Sequence, residues 1–580
     1  MSEAEETHMP MALRRLFATI LIFCQPKDPY SLWCKYFTSL SEDFQHQYQD
    51  NVLKVKQLTI RSLEQYLEAM GKSLKIVGLP KLCFGEEDDF QRMKDIIDAL
   101  DAPIPQSCID CIDHLNSEQL VAFSQIMQYV QLGKSGAFFI DGPGGTGKTF
   151  LYNALYAKIK LMNKIVLPTA TSGIAAANIP SGRSAHSRFK IPIDIEASLA
   201  CDVPKQGSLA ALLKETTLII WDEASMANKS NLESLDLLLQ DICSNNKLFG
   251  GKLVVLGGDF RQVLPVVPLK NQKEIVQSSI VTSYIWPRLI KFQLTQNQRA
   301  KDDPEFSSFL LALGNGQLQQ SENAYVQLPA NISKPFAANV DPVSEVFTSV
   351  FPEFYKGDFD ETWFTERAIL THLNDIVDSI NSSLIQQFPG NVVIYKSFDT
   401  ILSDTCDVYP TEFLNKLCPG GLSPHELVLK KNCPVILLRN LLPSAGLCNG
   451  TRLICKNFFS NTVQCVIAVG QYKGTEVFIP RINLRPSASV RYPFQFERKQ
   501  FPLKLSFSMT INKSQGQTLN RVSVYLPRPC FSHGQLYVAL SRARKQTDVT
   551  VFSTMPPEEF PSTSVKNVVC YEVLRLVEIC

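Results

Sequence analysis

A glycine-rich loop that ends in Gly-Lys-Thr is the densest chemical motif of the chain, and it follows an apolar run that begins at Gly136. Glycines adopt turns closed to other residues, so the backbone N–H groups of such a loop can point at phosphate oxygens. Lys148 adds a charge for the β and γ phosphates, and the Thr149 hydroxyl is placed to bind Mg²⁺. The predicted phosphate loop consists of Gly142, Pro143, Gly144, Gly145, Thr146, Gly147, Lys148 and Thr149.

Two carboxylates follow a second apolar run, Leu218 to Trp221, and such a pair is the expected partner of a phosphate loop. Asp222 is predicted to hold Mg²⁺, and Glu223 to orient and deprotonate the water that attacks the γ phosphate. A surface acidic pair is the alternative. The apolar character of the preceding residues argues against it, because such a run is typical of a buried strand.

Four polar residues elsewhere in the chain are candidates for the same nucleotide site. Gln262 follows a buried-strand pattern and is predicted to sense the γ phosphate. Arg299 is predicted to reach a phosphate from a strand end, and Arg542 is a candidate arginine finger that stabilises charge on the departing phosphate. Gln119, near the start of a helix, can offer its amide to adenine, with an ordinary surface glutamine as the alternative.

The stretch from Ser184 to Lys190 mixes hydrogen-bond donors, cations and an aromatic ring, as a path for single-stranded nucleic acid requires. The net charge of +1 gives no global argument for nucleic acid. Two local basic clusters are either solvated faces or binding surfaces. They consist of Arg481, Arg485, Arg491, Arg498 and Lys499, and of Arg542, Arg544 and Lys545.

Cysteine usage and hydropathy limit the class of protein. The 16 cysteines are scattered over 580 residues, which is typical of reduced intracellular thiols. Cys108 and Cys111 with His114 resemble half of a zinc site, but no second ligand pair follows at finger spacing, so two reduced thiols are the favoured interpretation. No apolar segment reaches the roughly 20 residues that span a bilayer, so we expect no membrane insertion.

The motifs must be positioned by alternating strands and helices, which predicts an α/β fold with parallel sheets. Short alternating runs separated by Asn-Gly and Lys-Gly turns predict a small antiparallel barrel inserted in the second α/β unit. The predicted regions are an N-terminal helical region of unknown role (1–111), a first lobe that binds nucleotide (112–300), a second lobe (301–440 plus 501–555), the barrel (441–500) and a C-terminal tail (556–580).

Taken in order, the motifs resemble those of superfamily 1 helicases and, within them, the petite-integration-frequency (Pif) family. The resemblance covers residues 112–555 and is carried by LNSEQ, GPGGTGKT, TSGIAA, AHSRF, WDEASM, LGGDFRQVLPVV, NKSQGQTL and HGQLYVALSRAR. The stretches RRLFATILIFCQPKDPYSLW, SLEQYLEAMGKSL, YPTEFLNKL, LLRNL and GLCNGTRL are further similar to the helicase portion of Helitron rolling-circle transposons. The given sequence contains no replication-initiator nuclease domain before these stretches, so we expect it to correspond to the helicase half alone, either as a fragment or as a separately encoded relative.

The resemblance implies two RecA-like parallel-sheet lobes with ATP and Mg²⁺ between them, an SH3-like barrel inserted in the second lobe, and a mainly helical N-terminal region. It implies a nuclear DNA helicase that moves 5′ to 3′ on single-stranded DNA and unwinds duplex or forked DNA. Its role would lie in DNA repair, recombination, telomere maintenance or transposition. The implied DNA contacts are His186, Phe189, Lys513 and Ser514.

Two other classes of protein remain as alternatives. A P-loop kinase or GTPase would need an acceptor site or a guanine-reading Asn-Lys-x-Asp, and the sequence contains neither. A non-catalytic DNA-binding transposon remnant would bind DNA without ATP turnover, and the intact motifs argue against it. Gln298 stands where members of the family often carry methionine, but every residue assigned to ATP chemistry is present, so we expect hydrolysis.

Overall fold

The computed structural model divides the protein into two compact units, which are described separately here. One unit contains residues 1–85, 360–365 and 378–507, and the other contains residues 86–359, 366–377 and 508–580. The structure describes residues 1, 5, 9–48, 52–70, 72, 74, 77, 79, 95–192, 199–265, 272–318, 323–336, 339, 341–352, 354, 363–402, 409–419, 421–486, 492 and 494–578.

The first lobe is built on a six-stranded parallel sheet with the strand order β3-β2-β4-β5-β1-β6. Its strands are β1 (Gly136–Asp141), β2 (Ile165–Ala170), β3 (Arg183–Ser184), β4 (Thr216–Asp222), β5 (Leu253–Gly258) and β6 (Ile290–Gln293). The carboxyl ends of β1, β4 and β5 share one edge of this sheet, because neighbouring parallel strands end on the same side.

Helices cover both faces of this sheet, because both faces are apolar, as successive side chains of β1 show. Phe138 and Ile140 pack into one hydrophobic core, while Ala137 and Phe139 pack into a second core on the opposite face. A parallel strand with both faces buried reads as a continuous apolar run, as the sequence predicted. The helices of the lobe are Ser117–Gln131, Lys148–Leu161, Gly173–Ala177, Ala185–Phe189, Ser208–Glu215, Lys229–Cys243 and Gln272–Ser278.

Short elements complete this lobe. An eight-residue helix, Gln106–Asp113, packs against the helix that follows the glycine-rich loop. The 3₁₀ turns are Ala224–Met226, Leu248–Gly251, Ile280–Thr282 and Trp286–Arg288.

The second lobe has a five-stranded parallel sheet with the strand order β20-β9-β21-β22-β8. Its strands are β8 (Ser333–Phe336), β9 (Arg367–Thr371), β20 (Ser508–Thr510), β21 (Arg521–Leu526) and β22 (Val549–Thr554), and an antiparallel pair adds β7 (Tyr325–Gln327) and β23 (Ser564–Lys566). The helices are Pro304–Gly314, Val343–Val350, Gln535–Leu540 and Tyr571–Glu578, with 3₁₀ turns at Ile511–Ser514 and Gln546–Asp548. The prediction of two parallel-sheet lobes is confirmed.

The helix Tyr571–Glu578 follows β23 near the end of the described chain. Cys570 and Val573 are buried in the hydrophobic core of the first lobe, and Leu574, Leu576 and Val577 pack against the same core. The last described helix is therefore part of the packing of the first lobe.

The other unit combines helices with antiparallel β-structure. Its sheets have the orders β16-β15-β14-β13-β19, β11-β18-β17 and β10-β12. Its strands are β10 (Val393–Lys396), β11 (Phe398–Ile401), β12 (Glu426–Leu429), β13 (Pro434–Leu437), β14 (Arg452–Phe458), β15 (Thr462–Ile467), β16 (Glu476–Pro480), β17 (Ile482–Leu484), β18 (Phe496–Gln500) and β19 (Leu503–Leu505). The predicted antiparallel region is present, and its strands begin at Val393. The domain limits given above stay a prediction.

Three N-terminal helices pack within this β-rich unit. They are Pro10–Phe23, Pro29–Gln47 and Val52–Ala69, and the unit also contains the helix Thr411–Lys416 and a 3₁₀ turn at Pro443–Ala445. The side chain of Phe478 on β16 is buried in the same core as the three helices. Arg14, almost fully buried, donates to both carboxylate oxygens of Asp43 at 2.7 Å and so joins the first two helices. The N-terminal region is helical, as predicted.

The helix Asn374–Gln387 contains the boundary between the two units, which falls after Val377. Among the helices that the structure describes, none has the length and apolar character to cross a lipid bilayer.

Candidate active site

The glycine-rich loop joins β1 to the helix Lys148–Leu161 in a conformation that depends on glycine at two positions. Gly145 and Gly147 have φ angles of 96° and 82°, in the left-handed region. A Cβ atom on Gly145 would lie 2.6 Å from Asn297 Oδ1, and one on Gly147 would lie 2.4 Å from Gln119 Nε2. Both contacts are shorter than atoms tolerate, so the loop requires glycine at these positions.

Lys148 begins the helix after the loop, and its side chain is buried over the loop. Its Nζ donates to the carbonyl oxygens of Gly142 at 2.5 Å and Pro143 at 3.5 Å. The ammonium also lowers the pKa values of Asp222 and Glu223, against the larger effect of burial. Lys148 therefore places a positive charge between the loop and the carboxylate pair.

Gln119 is buried, and its side chain supports the phosphate loop through hydrogen bonds. Its Oε1 accepts a hydrogen bond from the backbone N–H of Asn116 at 3.0 Å, and its Nε2 donates to the carbonyl oxygens of Thr146 at 3.2 Å and Gly147 at 3.3 Å. Asn116 and Gln119 form a reciprocal cap at the helix start. The structure therefore gives Gln119 a supporting role, and its contact with adenine stays a prediction.

The carboxylates of Asp222 and Glu223 lie at the end of β4, and both residues are buried. Burial and then the neighbouring Glu223 charge raise the pKa of Asp222 to about 7. Burial also raises the pKa of Glu223, and the charges of Lys148 and Arg542 oppose that effect. A carboxylate whose pKa is raised toward neutrality is suited to general-base chemistry.

The backbone at Glu223 aims its side chain, since this residue has φ 54° and ψ 36° in the left-handed region. Thr171 Oγ1 donates to the Glu223 carbonyl at 2.6 Å, and Trp221 Nε1 donates to Thr171 Oγ1 at 3.0 Å. Within the part of the chain that the structure describes, Glu223 Oε2 has no hydrogen-bond partner. One carboxylate oxygen is therefore buried and not engaged by the protein.

Two arginines from distant parts of the chain lie against the phosphate loop. A Cβ atom placed on Gly144 would lie 3.5 Å from Arg542 Nη2 and 3.8 Å from Arg299 Nη1. Arg299 Nη1 donates to the carbonyl oxygen of Ser541 at 2.9 Å. Burial and then the charge of Arg542 lower the pKa of Arg299 to about 9. The two guanidinium groups thus concentrate positive charge where phosphate oxygens would lie.

Gln262 follows β5 and connects the two lobes. Its Nε2 donates to Asp259 Oδ2 at 3.2 Å, and its Oε1 accepts from Gln515 Nε2 of the second lobe at 3.3 Å. The amide of Gln262 therefore bridges Asp259 of the first lobe and Gln515 of the second lobe.

These side chains surround one cavity of about 450 Å³ whose walls come from both lobes. The predicted site residues that line it are Gly144, Gly145, Gly147, Lys148, Thr149, Asp222, Glu223, Gln262, Arg299 and Arg542. Thr149 and Asp222 both face the cavity, and a hydroxyl with a carboxylate is a donor set that suits a hard cation such as Mg²⁺.

The cavity also contains residues that sequence reasoning did not assign to the site. These are Ala175, Asn178, Gln298, Lys301, Asp302, Gly516, Thr518 and Arg544. Gly516 and Thr518 belong to the NKSQGQTL stretch, in which only Lys513 and Ser514 have a predicted role, as DNA contacts. Both residues could have been predicted from the sequence if this one stretch had been considered for the nucleotide as well as for DNA.

Two of the four predicted DNA contacts have buried side chains, which corrects the prediction. Phe189 is fully buried in the core of the first lobe, 6.2 Å from the ring of Trp221 between centroids. Ser514 is also buried, and its hydroxyl donates to the carbonyl oxygen of Ile511. Neither side chain lies on the surface for a base or a phosphate. Ser514 instead offers its carbonyl oxygen to Arg542 Nη1 at 3.4 Å.

The other two predicted DNA contacts are accessible. Lys513 is exposed in the 3₁₀ turn Ile511–Ser514, and His186 is half-buried in the helix Ala185–Phe189. Burial lowers the pKa of His186, so its ring is neutral near pH 7 and serves as a hydrogen-bond donor or acceptor.

The first predicted basic cluster does not form a single charged face. Arg498 is fully buried and donates to Asp399 Oδ2 at 2.7 Å, and Arg481 is buried beneath the ring of Phe501. Arg485 and Lys499 are exposed, while Arg491 lies outside the described residues. In the second cluster Arg542 is buried and Arg544 and Lys545 are exposed.

Cys108 and Cys111 are buried thiols of the helix Gln106–Asp113. Cys111 Sγ donates to the carbonyl oxygen of Ser107, and burial raises the pKa of this thiol to about 11. Among the residues whose positions are described, no cluster of three or more His, Cys, Asp and Glu side chains could hold a metal ion.

Comparisons with known proteins agree with this geometry. The family description "PIF1-like helicase" matches residues 114–324, and "DNA helicase Pif1, 2B domain" matches residues 412–458. The chain is 26% identical over 444 residues to the ATP-dependent DNA helicase PIF1 of Xenopus laevis, covering 76% of this chain and 62% of that protein. For the Homo sapiens protein of the same name the identity is 28% over 435 residues, with 73% and 59% covered. The chain thus spans about three fifths of the length of these relatives.

Solved structures share the fold. The Pif1 helicase from Candida albicans superposes with a TM-score of 0.56 at 24% identity, covering 80% of this chain and 98% of that one. The Bacteroides Pif1 bound to single-stranded DNA superposes with a TM-score of 0.56 at 22% identity, covering 78% and 96%. The two parallel-sheet lobes therefore have the RecA-like fold of these helicases.

Proposed function

We propose that this chain is a PIF1-like helicase, an ATP-dependent DNA helicase that moves 5′ to 3′ on single-stranded DNA and unwinds duplex or forked DNA; the two family matches and the similarity to the PIF1 helicases support this proposal. The observation that carries this proposal is the convergence of Lys148, Glu223 and Arg542 on one cavity between two lobes. A site built from both lobes can convert nucleotide hydrolysis into their relative motion.

The residues divide the chemistry of ATP hydrolysis. Lys148 and the loop amides bind the β and γ phosphates, and Glu223 takes a proton from the attacking water. Arg299 and Arg542 stabilise the charge that develops on the departing phosphate. Gln262 responds to the γ phosphate and reports its loss to Gln515 of the second lobe.

Mg²⁺ is the proposed companion of ATP, held by the Thr149 hydroxyl and the Asp222 carboxylate, and it would neutralise charge on the phosphates. Both side chains line the cavity beside Lys148. Chelation of divalent cations is therefore expected to abolish ATP hydrolysis.

His186 and Lys513 are the proposed DNA contacts of the two lobes. Lys513 directly precedes Ser514, whose carbonyl oxygen accepts from Arg542, so a DNA strand held by Lys513 lies one residue from a partner of the candidate arginine finger. This arrangement supports coupling between DNA and ATP. The relatives' names support ATP-dependent DNA helicase activity. The role proposed with it is nuclear, in DNA repair, recombination or telomere maintenance, and the Helitron-like stretches keep transposition as a second candidate role.

The test replaces Lys148 with alanine. We expect the ATPase rate with saturating single-stranded DNA to fall by a factor of about 10² or more, because the charge on the transferred phosphate is no longer neutralised. The matched control is Lys134→Ala, an exposed lysine of the same lobe. DNA-stimulated ATPase that survives Lys148→Ala would overturn the proposed site.

Polarity is tested with two tailed duplexes. A duplex with a 5′ single-stranded tail is expected to unwind, and one with a 3′ tail is not. Unwinding of only the 3′-tailed duplex would reverse the proposed direction. ATP turnover without stimulation by DNA would favour a P-loop kinase or GTPase, and DNA binding without turnover would favour a non-catalytic remnant.

A further inference from the structure

The side chain of Tyr537 touches the nucleotide site of the first lobe from the second lobe, outside the cavity. The backbone N–H of Gly144, in the phosphate loop, donates to the Tyr537 hydroxyl at 3.0 Å. The same hydroxyl donates to Asp259 Oδ2 at 2.9 Å. Resting on the helicase function proposed above, we propose that Tyr537 is a positioning residue that couples movement of the second lobe to the phosphate loop and to the γ-phosphate sensor.

Asp259 is the centre through which the hydroxyl reaches the sensor. Its carboxylate is fully buried and accepts from the backbone N–H and Nη1 of Arg261, both at 3.1 Å, and from Gln262 Nε2 at 3.2 Å. Tyr537 supplies one more donor to this carboxylate. A displacement of the hydroxyl therefore acts on Gln262 through Asp259 and on the loop through Gly144.

The position of the hydroxyl is set by the second lobe. Tyr537 is 1% exposed and packs in the hydrophobic core of that lobe. A Cβ atom on Gly314, at the end of the helix Pro304–Gly314, would lie 3.0 Å from the Tyr537 ring, so the ring fits directly against this glycine. The ring is therefore closely packed against its own lobe on the side of Gly314.

Tyr537 lies in the short helix Gln535–Leu540, and the candidate arginine finger Arg542 follows two residues after the end of this helix. Arg542 Nε donates to the carbonyl oxygen of Val538 at 2.9 Å, which ties the guanidinium to the residue after Tyr537. The helix Gln535–Leu540 and the residues directly after it therefore bring two side chains to the first lobe. Arg542 approaches the phosphates from inside the cavity, and Tyr537 holds the loop from outside it.

The residues around Asp259 contact the second lobe at further points, which supports a coupled movement. Arg261 Nε donates to Asn315 Oδ1 at 2.7 Å, and His533 Nε2 donates to the carbonyl oxygen of Phe260 at 2.8 Å. These bonds connect Arg261 and Phe260 to the second lobe, while the bond from Gly144 connects the phosphate loop to it. Tyr537 is thus the contact that joins the loop and the sensor.

The experiment uses the full chain with Tyr537→Phe, which keeps the ring and removes only the hydroxyl. We expect the maximal ATPase rate with saturating single-stranded DNA to fall about tenfold, which corresponds to about 1.4 kcal/mol. The KM for ATP is expected to stay within about twofold, because the hydroxyl does not line the cavity. The number of base pairs unwound per ATP is expected to fall as well, a change that simple destabilisation would not produce.

The matched control is Tyr525→Phe, a buried tyrosine on β21 of the second lobe that contacts neither the loop nor Asp259, and we expect wild-type rates from it. If Tyr537→Phe does not fold, Gly314→Ala is the second variant. It keeps the hydroxyl, and its Cβ would lie 3.0 Å from both the Tyr537 ring and Arg261 Cβ, so it presses on two donors to Asp259. It is expected to lower the same maximal rate with ATP KM unchanged, and wild-type values would overturn the proposal.

The outcomes separate this proposal from the function on which it rests. Wild-type protein without DNA-stimulated ATPase would overturn the helicase function and the coupling role with it. Wild-type protein that unwinds DNA, with Tyr537→Phe equal to it in maximal rate and in base pairs unwound per ATP, would overturn the coupling role alone.

Discussion

Glu223 combines a strained backbone with a buried carboxylate oxygen that has no hydrogen-bond partner among the described residues, and both features suit the catalytic base that we propose it to be. Its φ of 54° places a non-glycine residue in a region that costs of order 1–3 kcal/mol. The hydrogen bond from Thr171 to its carbonyl oxygen holds that conformation. The strain is therefore retained where it aims the side chain toward the cavity.

Glu223→Gln tests this role at the residue scale. We expect kcat for ATP to fall by a factor of about 10²–10⁴, because the amide cannot accept the proton of the attacking water. ATP binding is expected to be retained, since the neutral amide also removes repulsion from Asp222. Single-turnover hydrolysis and equilibrium binding measure the two quantities. Glu215→Gln, an exposed residue of the same lobe, is the control, and a kcat within threefold of wild type would exclude Glu223 as the base.

The sequence alone predicted most of the residues that line the cavity, because a phosphate-binding site requires these residue types at fixed spacing within short motifs. Lys148, Asp222 and Glu223 were identified from local motifs, and the structure brings them to one cavity. The side-chain direction of Phe189 was not predictable, since an aromatic ring on a short helix can face either the core or the solvent. Tyr537 was missed because its two partners lie hundreds of residues away in sequence.

At the scale of elements, one segment of the second lobe is held against the first by a neutral histidine. His533 Nε2 donates to the carbonyl oxygen of Phe260, and its Nδ1 accepts from the backbone N–H of Cys570 at 2.8 Å. Burial lowers the pKa of His533, against smaller opposing effects of the Phe260 carbonyl and Asp259. Protonation would place a second donor against the Cys570 N–H.

This contact predicts a loss of stability in acid. The pKa of His533 is lower in the folded protein than the ordinary value of about 6.5, so the folded state binds fewer protons. Its contribution to stability is complete above about pH 6.5 and is lost as pH falls toward the folded-state pKa. Thermal melts between about pH 7.5 and pH 5.5 should show a smaller loss for His533→Gln than for wild type. Equal losses would contradict the role of this histidine.

The elements themselves were predicted to different degrees. Parallel strands such as β1 and β4 read as continuous apolar runs because both faces are buried, and they were found. The antiparallel region was found from its turns, but its first strands at Val393–Lys396 and Phe398–Ile401 were not. Ile394 and Phe398 are apolar but exposed, so these strands lack the regular alternation of buried apolar and exposed polar residues on which strand prediction depends.

The whole molecule has two compact units with separate hydrophobic cores, and only one of them contains the nucleotide cavity. We expect two cooperative transitions in calorimetry. A non-hydrolysable ATP analogue at 100 times its Kd should stabilise one of them by about 2.7 kcal/mol and leave the other unchanged.

The same calorimetric measurement on the Lys148→Ala protein tests whether the analogue acts through the cavity. The analogue should no longer raise the temperature of either transition. An analogue that raised both transitions equally in the wild-type protein would show that the two units do not unfold separately.

The packing of the N-terminal helices has a consequence for biosynthesis. Cys24 Sγ donates to the carbonyl oxygen of Arg481 at 2.9 Å, a contact between residues 457 positions apart. The core of the three helices also includes Phe478. At about 5–20 residues per second, a ribosome needs roughly 20–90 s to make the chain between these partners. For that interval the apolar faces of the first helices leave the ribosome without the strand that covers them, which makes the nascent chain a natural client for holding chaperones.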